Sequence, residues 1–200
     1  MESKQFSKYQ SKAKDSFKTK MDIFIFSLAI TEKVTFTVNE FNSFNITKEI
    51  VKLYSTQYWQ QPRNSMINNL SVDDIYKKIK CIRKENEQIL GKLRVEYVNS
   101  FSEIFKEEDF ITLVSARECH YCKISLEEIH SLVQKGRLFS KNERGRTLEI
   151  DRINSNYEYV AKNCVMACYW CNNAKTDEFT LDEFELIGEV IGAIWKKRLV

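Results

Sequence analysis

A chain of 200 residues, 43% hydrophobic and 12% aromatic, can bury the core of one medium domain or two small ones. Its 31 lysines and arginines against 28 acids leave a net charge of only +3, so bulk charge makes no nucleic-acid surface and one would have to be built from local clusters. Five glycines and the single Pro62 leave no composition break that announces a linker.

The chain opens on KQFSKYQSKAKDSFKTK, where Lys4, Lys8, Lys12, Lys14, Lys18 and Lys20 outnumber the acids. Two readings stay open, a solvated and partly frayed terminus or a segment that contacts phosphate. The run IFIFSLAI, residues 23–30, lies between Asp22 and Glu32 and is far shorter than the roughly 20 residues of a spanning helix. No small-residue cleavage site follows it, so no membrane partner is expected and a cytoplasmic protein is. Through about residue 60 the pattern has no clear period and short helices are expected.

Residues 71–105 read as one long helix, with an N-cap serine, acids in the first turn and apolar residues at helical spacing. Ile75, Ile79, Ile82, Ile89 and Leu93 follow a three-four repeat with Asn86 at a core-facing position. That stripe fits either a dimer seam or packing on the rest of the domain. Further on, EEDFITLVSAREC and ISLEEIHSLVQKG are helical, RTLEIDRI and NCVMA are strands, and CYWCNNAKTDEF begins a helix. The closing segment, TLDEFELIGEVIGAIWKKRLV, starts with a capping box from Thr180 to Glu183 and ends in bases that suit a helix C-terminus.

Four of the six cysteines fall into two CxxC pairs, Cys119 with Cys122 in CHYC and Cys168 with Cys171 in CYWC. Thiolates at that spacing suit a closed, tetrahedral structural zinc site in a reducing compartment. Cys81 and Cys164 lie outside the pairs and are expected as small core residues. Between the pairs the order is strand, loop, strand, then a helix that begins at the second pair. Asp151 ends the first strand and Asn172 lies on the helix, so both oxygens can converge on a hard divalent cation such as magnesium or manganese. Singly, each is an ordinary cap or turn residue; framed by the cysteine pairs, they become candidate ligands.

The order ID, then the asparagine of NCVMAC, then CNNAKTD resembles the HNH, or ββα-metal, nuclease family over roughly residues 119–180. It is similar in particular to a restriction-endonuclease subset with aspartate-arginine in place of aspartate-histidine and a tyrosine eight residues after that aspartate. The resemblance implies an α+β fold, with a zinc-stapled ββα-metal nuclease core in residues 106–200. A mostly helical N-terminal region, residues 1–105, would then serve DNA recognition, dimerisation or both. Arg152 stands where most of the family carry the water-activating histidine; a guanidinium is always protonated and cannot be a general base. It can instead bind the scissile phosphate and offset charge in the transition state.

By the same resemblance Tyr159 is the candidate for activating water or attacking directly, with Tyr157 its rival. Asn163 matches the middle asparagine, which holds the loop against the strand. Lys175, on the helix face of Asn172, either neutralises a phosphate or is merely solvated, and Glu149 shares the face of Asp151 as an accessory acid. His120, inside the first cysteine pair, and His130, in a helical pattern, do not replace the missing base.

The expected activity is metal-dependent hydrolysis of phosphodiester bonds in double-stranded DNA, leaving 5′ phosphates. It would use a structural Zn2+ and a catalytic Mg2+ or Mn2+, in a restriction role, as a homodimer that cuts both strands of a palindrome. Two alternatives stay open: a zinc-dependent nucleic-acid-binding protein whose nuclease site is degenerate, and a phage or homing-type nicking nuclease acting as a monomer. The target sequence and the choice of DNA over RNA are not legible in the residues.

Overall fold

The apolar run without a period is the last third of one long helix. In the computed structural model, which describes residues 3–139 and 144–200, helix α1 spans Ser3–Ile30. Tyr9, Ala13 and Phe17 are buried at four-residue intervals, whereas Ile23, Phe24, Ile25 and Phe26 are buried in succession. A helix covered on every side loses its amphipathic period, so the expectation of several short helices fails here.

The chain divides into two compact units, one running through Ile104 and taking in Asn156–Glu158, the other comprising Phe105–Ser155 and Tyr159–Val200. In the first, α2 (Val38–Ser43) opens on a capping box between Thr37 and Glu40, and α3 (Lys48–Lys52) is capped by Thr47. The two-residue strands β1 (Met66–Ile67) and β2 (Leu70–Ser71) form a hairpin across Asn68 and Asn69, both at positive φ as a tight primed turn requires.

The expected long helix is broken. Helix α4 (Val72–Glu85) stops at Asn86, and α5 (Glu87–Asn99) and α6 (Phe101–Ile104) follow. The Asn86 amide donates to the Ile82 carbonyl at 2.7 Å and to the Val34 carbonyl at 2.8 Å, and the residue leaves helical geometry at φ −113°, ψ 18°. Ile75, Ile82 and Leu93 are buried within the unit, where α4 and α5 pack on α1. These three residues of the stripe therefore form a packing surface of this unit. Cys81 is exposed, against expectation, because it lies on the outer side of that stripe, while Cys164 is buried as expected.

The second unit begins with α7 (Glu107–Val114), the first cysteine pair and α8 (Leu126–Gln134), which opens on a capping box between Ser125 and Glu128. Strands β3 (Glu149–Arg152) and β4 (Cys164–Ala167) pair antiparallel, α9 (Tyr169–Lys175) follows, and α10 (Leu181–Leu199) closes the chain from its Thr180 and Glu183 capping box. Its core joins the four paired cysteines to Ile129, Leu132, Met166, Phe184 and Trp195. Two glycines of α10 let it sit directly on the cysteine knuckle. A Cβ on Gly188 would lie 2.9 Å from the Tyr121 carbonyl carbon, and one on Gly192 would lie 2.5 Å from the Cys122 carbonyl oxygen. The architecture is helix-rich α+β with two small antiparallel sheets among the described residues, and none of its described helices is long and apolar enough to cross a membrane.

Candidate active site

Alternation along β3 puts Glu149 and Asp151 on one face, while the helical turn puts Asn172 and Lys175 on one face of α9. The two faces meet. The Asn172 Nδ2 donates to Glu149 Oε2 at 2.7 Å; one step further, Lys175 Nζ lies 3.6 Å from Asp151 Oδ2 and donates to the Arg152 carbonyl at 2.9 Å. Two residues of strand rise about 6.6 Å and three of helix about 4.5 Å, similar enough for both cross-links to form when strand and helix run the same way. In the register, Asp151 stands opposite Val165 and Arg152 opposite Cys164.

Asp151 has a second side-chain partner that the sequence did not mark. Tyr121, between the cysteines of the first pair, donates its hydroxyl to Asp151 Oδ2 at 2.7 Å. Burial pushes the Asp151 carboxyl above the ordinary carboxylate range, while the Tyr121 hydrogen bond and the Lys175 ammonium pull it back down. Burial, and then the neighbouring carboxylate, push the Tyr121 phenol well above its ordinary value, so it stays a donor. Nothing in the spacing of CHYC distinguishes Tyr121 from a spacer; only the fold brings it 2.7 Å from a residue 30 positions on. Arg144 was missed as well, and grips Glu149 through both carboxylate oxygens at 2.8 and 2.9 Å.

The guanidinium of Arg152 lies over the Tyr159 ring, 4.7 Å from its centroid, and Tyr159 is buried. Asn163 closes the loop between the strands: its side chain accepts from the Asn154 backbone N–H and donates to the Asn154 carbonyl, both at 3.0 Å. Its own carbonyl accepts from the Ile153 N–H at 2.8 Å. Tyr157 groups with the first unit, in the segment whose Glu158 accepts from the Tyr97 hydroxyl at 2.6 Å.

Lys175 is buried. At 2% exposure its ammonium lies against Asp151 and donates to the Arg152 carbonyl. The histidines lie elsewhere, His120 with its Nε2 3.7 Å from Glu185 Oε1 and His130 bonded to the Arg146 carbonyl at 3.0 Å.

Behind this face Cys119, Cys122, Cys168 and Cys171 are buried free thiols whose sulfurs all lie within 4.8 Å of one another. Bonds of about 2.3 Å to a tetrahedral zinc require sulfurs about 3.8 Å apart, and Cys122 and Cys168 are 3.7 Å apart. The donor set thus fits a metal such as zinc. Cys168 is also the N-cap of α9, its sulfur accepting from the Cys171 N–H at 3.5 Å. The knuckle is tied to the sheet by the His120 N–H, which donates to the Met166 carbonyl at 2.8 Å.

No protein-family model and no curated protein matches this chain. Among solved structures it is similar to the rare-cutting HNH restriction endonuclease PacI, at 29% identity over 59% of this chain and 82% of that one, with a TM-score of 0.40.

Proposed function

We propose that this chain is a metal-dependent endonuclease that hydrolyses phosphodiester bonds of double-stranded DNA, with a zinc-stapled ββα core. The observation that carries the proposal is the face shared by β3 and α9, where a partly desolvated carboxylate, an amide and a guanidinium-bearing strand end gather against a four-thiol metal site. Asp151 and the carbonyl oxygen of Asn172 would hold Mg2+ or Mn2+, hard cations that take oxygen donors. When bound, that cation supplies Lewis-acid stabilisation of the departing 3′ oxygen.

The residues of the chain do the rest. Arg152 binds the scissile phosphate, and its stacking on Tyr159 fixes the direction of its donors. By the resemblance Tyr159, with the Arg152 guanidinium over its ring, is the group that activates the nucleophile. Asn163 holds the loop that carries both aromatic candidates, and Lys175 anchors the ends of Asp151 and Arg152. For DNA contact, α1 exposes Lys4, Lys8, Lys14 and Lys18 along about 21 Å of helix, a length over which a phosphate backbone can be followed. A restriction role, with two copies cutting opposite strands of a palindrome in a cytoplasmic compartment, completes the reading.

One observation favours a second reading. The buried ammonium of Lys175 already compensates Asp151, as expected of a zinc-dependent nucleic-acid-binding protein whose catalytic centre is degenerate. The test is incubation with long unmodified duplex DNA and magnesium or manganese, an EDTA control and end-sequencing of the products. Discrete metal-dependent fragments with a common end sequence support the specific endonuclease, provided Asp151→Ala abolishes them while zinc stays bound. Binding without cleavage across several DNAs moves the weight to the second reading, and cleavage retained in Asp151→Ala sinks the metal assignment.

A further inference from the structure

Helix α10 has two apolar faces. One, with Phe184, Gly188, Gly192 and Trp195, is buried on the unit that the helix closes. The other carries Leu186, Val190 and Ile194 at 67%, 62% and 43% exposure. Four-residue spacing puts these three in one continuous stripe, and a stripe of large aliphatic side chains on a helix already anchored by its opposite face serves nothing within the unit. At seven residues on either side of Val190 the stripe ends in exposed charges of opposite sign, Glu183 and Lys197.

We infer that this face pairs with the same face of a second copy of the chain, antiparallel, with a two-fold axis through Val190. The residue order is self-complementary about that point. Antiparallel pairing puts Leu186 of each copy beside Ile194 of the other and Val190 on its own symmetry mate. It also sets Glu183 of each copy against Lys197 of the other, twice. A parallel arrangement would place acid on acid and base on base. The two helix dipoles also oppose each other in the antiparallel pair, which is the favourable sense. Isologous contact of this kind is what a closed two-fold dimer requires. A pair of single helices covers less than the roughly 800 Å2 per partner usual for tight complexes, so the association depends on concentration.

The inference gives a face to the two-copy form of the nuclease reading and rests on that reading only for its use. The experiment therefore contains neither DNA nor magnesium, and loss of the nuclease reading would leave its outcome unchanged. The zinc-loaded full chain is examined by sedimentation equilibrium from about 1 to 100 µM, a range that brackets micromolar dissociation constants. The parent is expected as a monomer-dimer mixture, and Val190→Glu, which places two carboxylates at the axis, should shift the dissociation constant upward by about 100-fold or more. Val190 is exposed, so this change spares the core, and unchanged circular dichroism checks that it does.

Independently, Val190→Cys in a Cys81→Ser background should be joined to its own mate by a short bismaleimide. Val95→Cys, at a site 61% exposed on α5, should not be. A parent that is monomeric throughout the range overturns the inference. So does a dimer that Val190→Glu leaves intact, or one that crosslinks no better at residue 190 than at residue 95.

Discussion

Lys175 joins a helix to two successive strand residues, through the Arg152 carbonyl and the Asp151 carboxylate. Its place on the face of Asn172 was legible from three-residue spacing. Whether that face meets solvent or a strand was not, because it depends on pairing between segments more than twenty residues apart. Tyr121 was illegible for the same reason. Replacing it with Phe keeps the edge-to-face contact with Phe184 and removes only the hydroxyl on Asp151. If Asp151 holds the proposed cation, loss of the hydrogen bond that orients it should weaken metal binding by about 10- to 100-fold. Manganese titration of Tyr121→Phe, followed by electron paramagnetic resonance, should show that loss with the melting temperature little changed; equal affinities would separate Tyr121 from the site.

Asp151 also gives a pH dependence. Its raised pKa, caused first by burial, means that the folded chain prefers the protonated acid. The stability this group contributes is then complete below the ordinary aspartate value of about 3.9 and is lost as pH climbs through the raised value. Asp151→Asn cannot ionise. In zinc-loaded, magnesium-free protein the parent should lose melting temperature relative to Asp151→Asn as pH rises above the ordinary aspartate value of about 3.9, and parallel curves would show that burial does not dominate.

Among the elements, helix ends were the most legible, because a capping residue and its partner three positions on act locally. Thr180 with Glu183 forms a full capping box in the fold, and Ser71 caps α4. The break at Asn86 was not legible, since asparagine is compatible with a helix interior and one of the two carbonyls its amide bonds, that of Val34, comes from a distant segment. Glycines show the same contrast. Gly91, within α5, has open space where a Cβ would stand, whereas Gly192 faces the Cys122 carbonyl oxygen. Gly91→Ala should stabilise by about 0.5–1 kcal/mol, the entropy a helical glycine loses on folding. Gly192→Ala must push α10 off the knuckle and should destabilise by about 1–3 kcal/mol, as overpacking does. Urea denaturation of both variants tests the pair, and equal effects would contradict the seating of α10.

For the whole molecule, the cysteine spacing and the strand-strand-helix order were legible because they are short-range and chemically narrow. The membership of the units was less so: Asn156–Glu158 belong with the first unit although they lie inside the sequence of the second. Each unit has its own source of stability. The first is built on aromatic and aliphatic packing around α1, the second on a core in which four of the buried residues are thiols. Since binding energy at a structural zinc becomes folding energy, chelation should strip hydrogen-exchange protection from residues 105–139 and 144–200 and leave residues 3–104 protected. Equal loss in both would mean that the thiol cluster does not stabilise one unit in particular. The double position of Cys168, as N-cap of α9 and as one corner of the cluster, couples the helix to the thiols. A helix of seven residues does not persist alone in water, so the display of Asn172 and Lys175 depends on the packing around it, of which the thiol cluster is one part. The proposed site is therefore assembled together with the thiol cluster and not ahead of it.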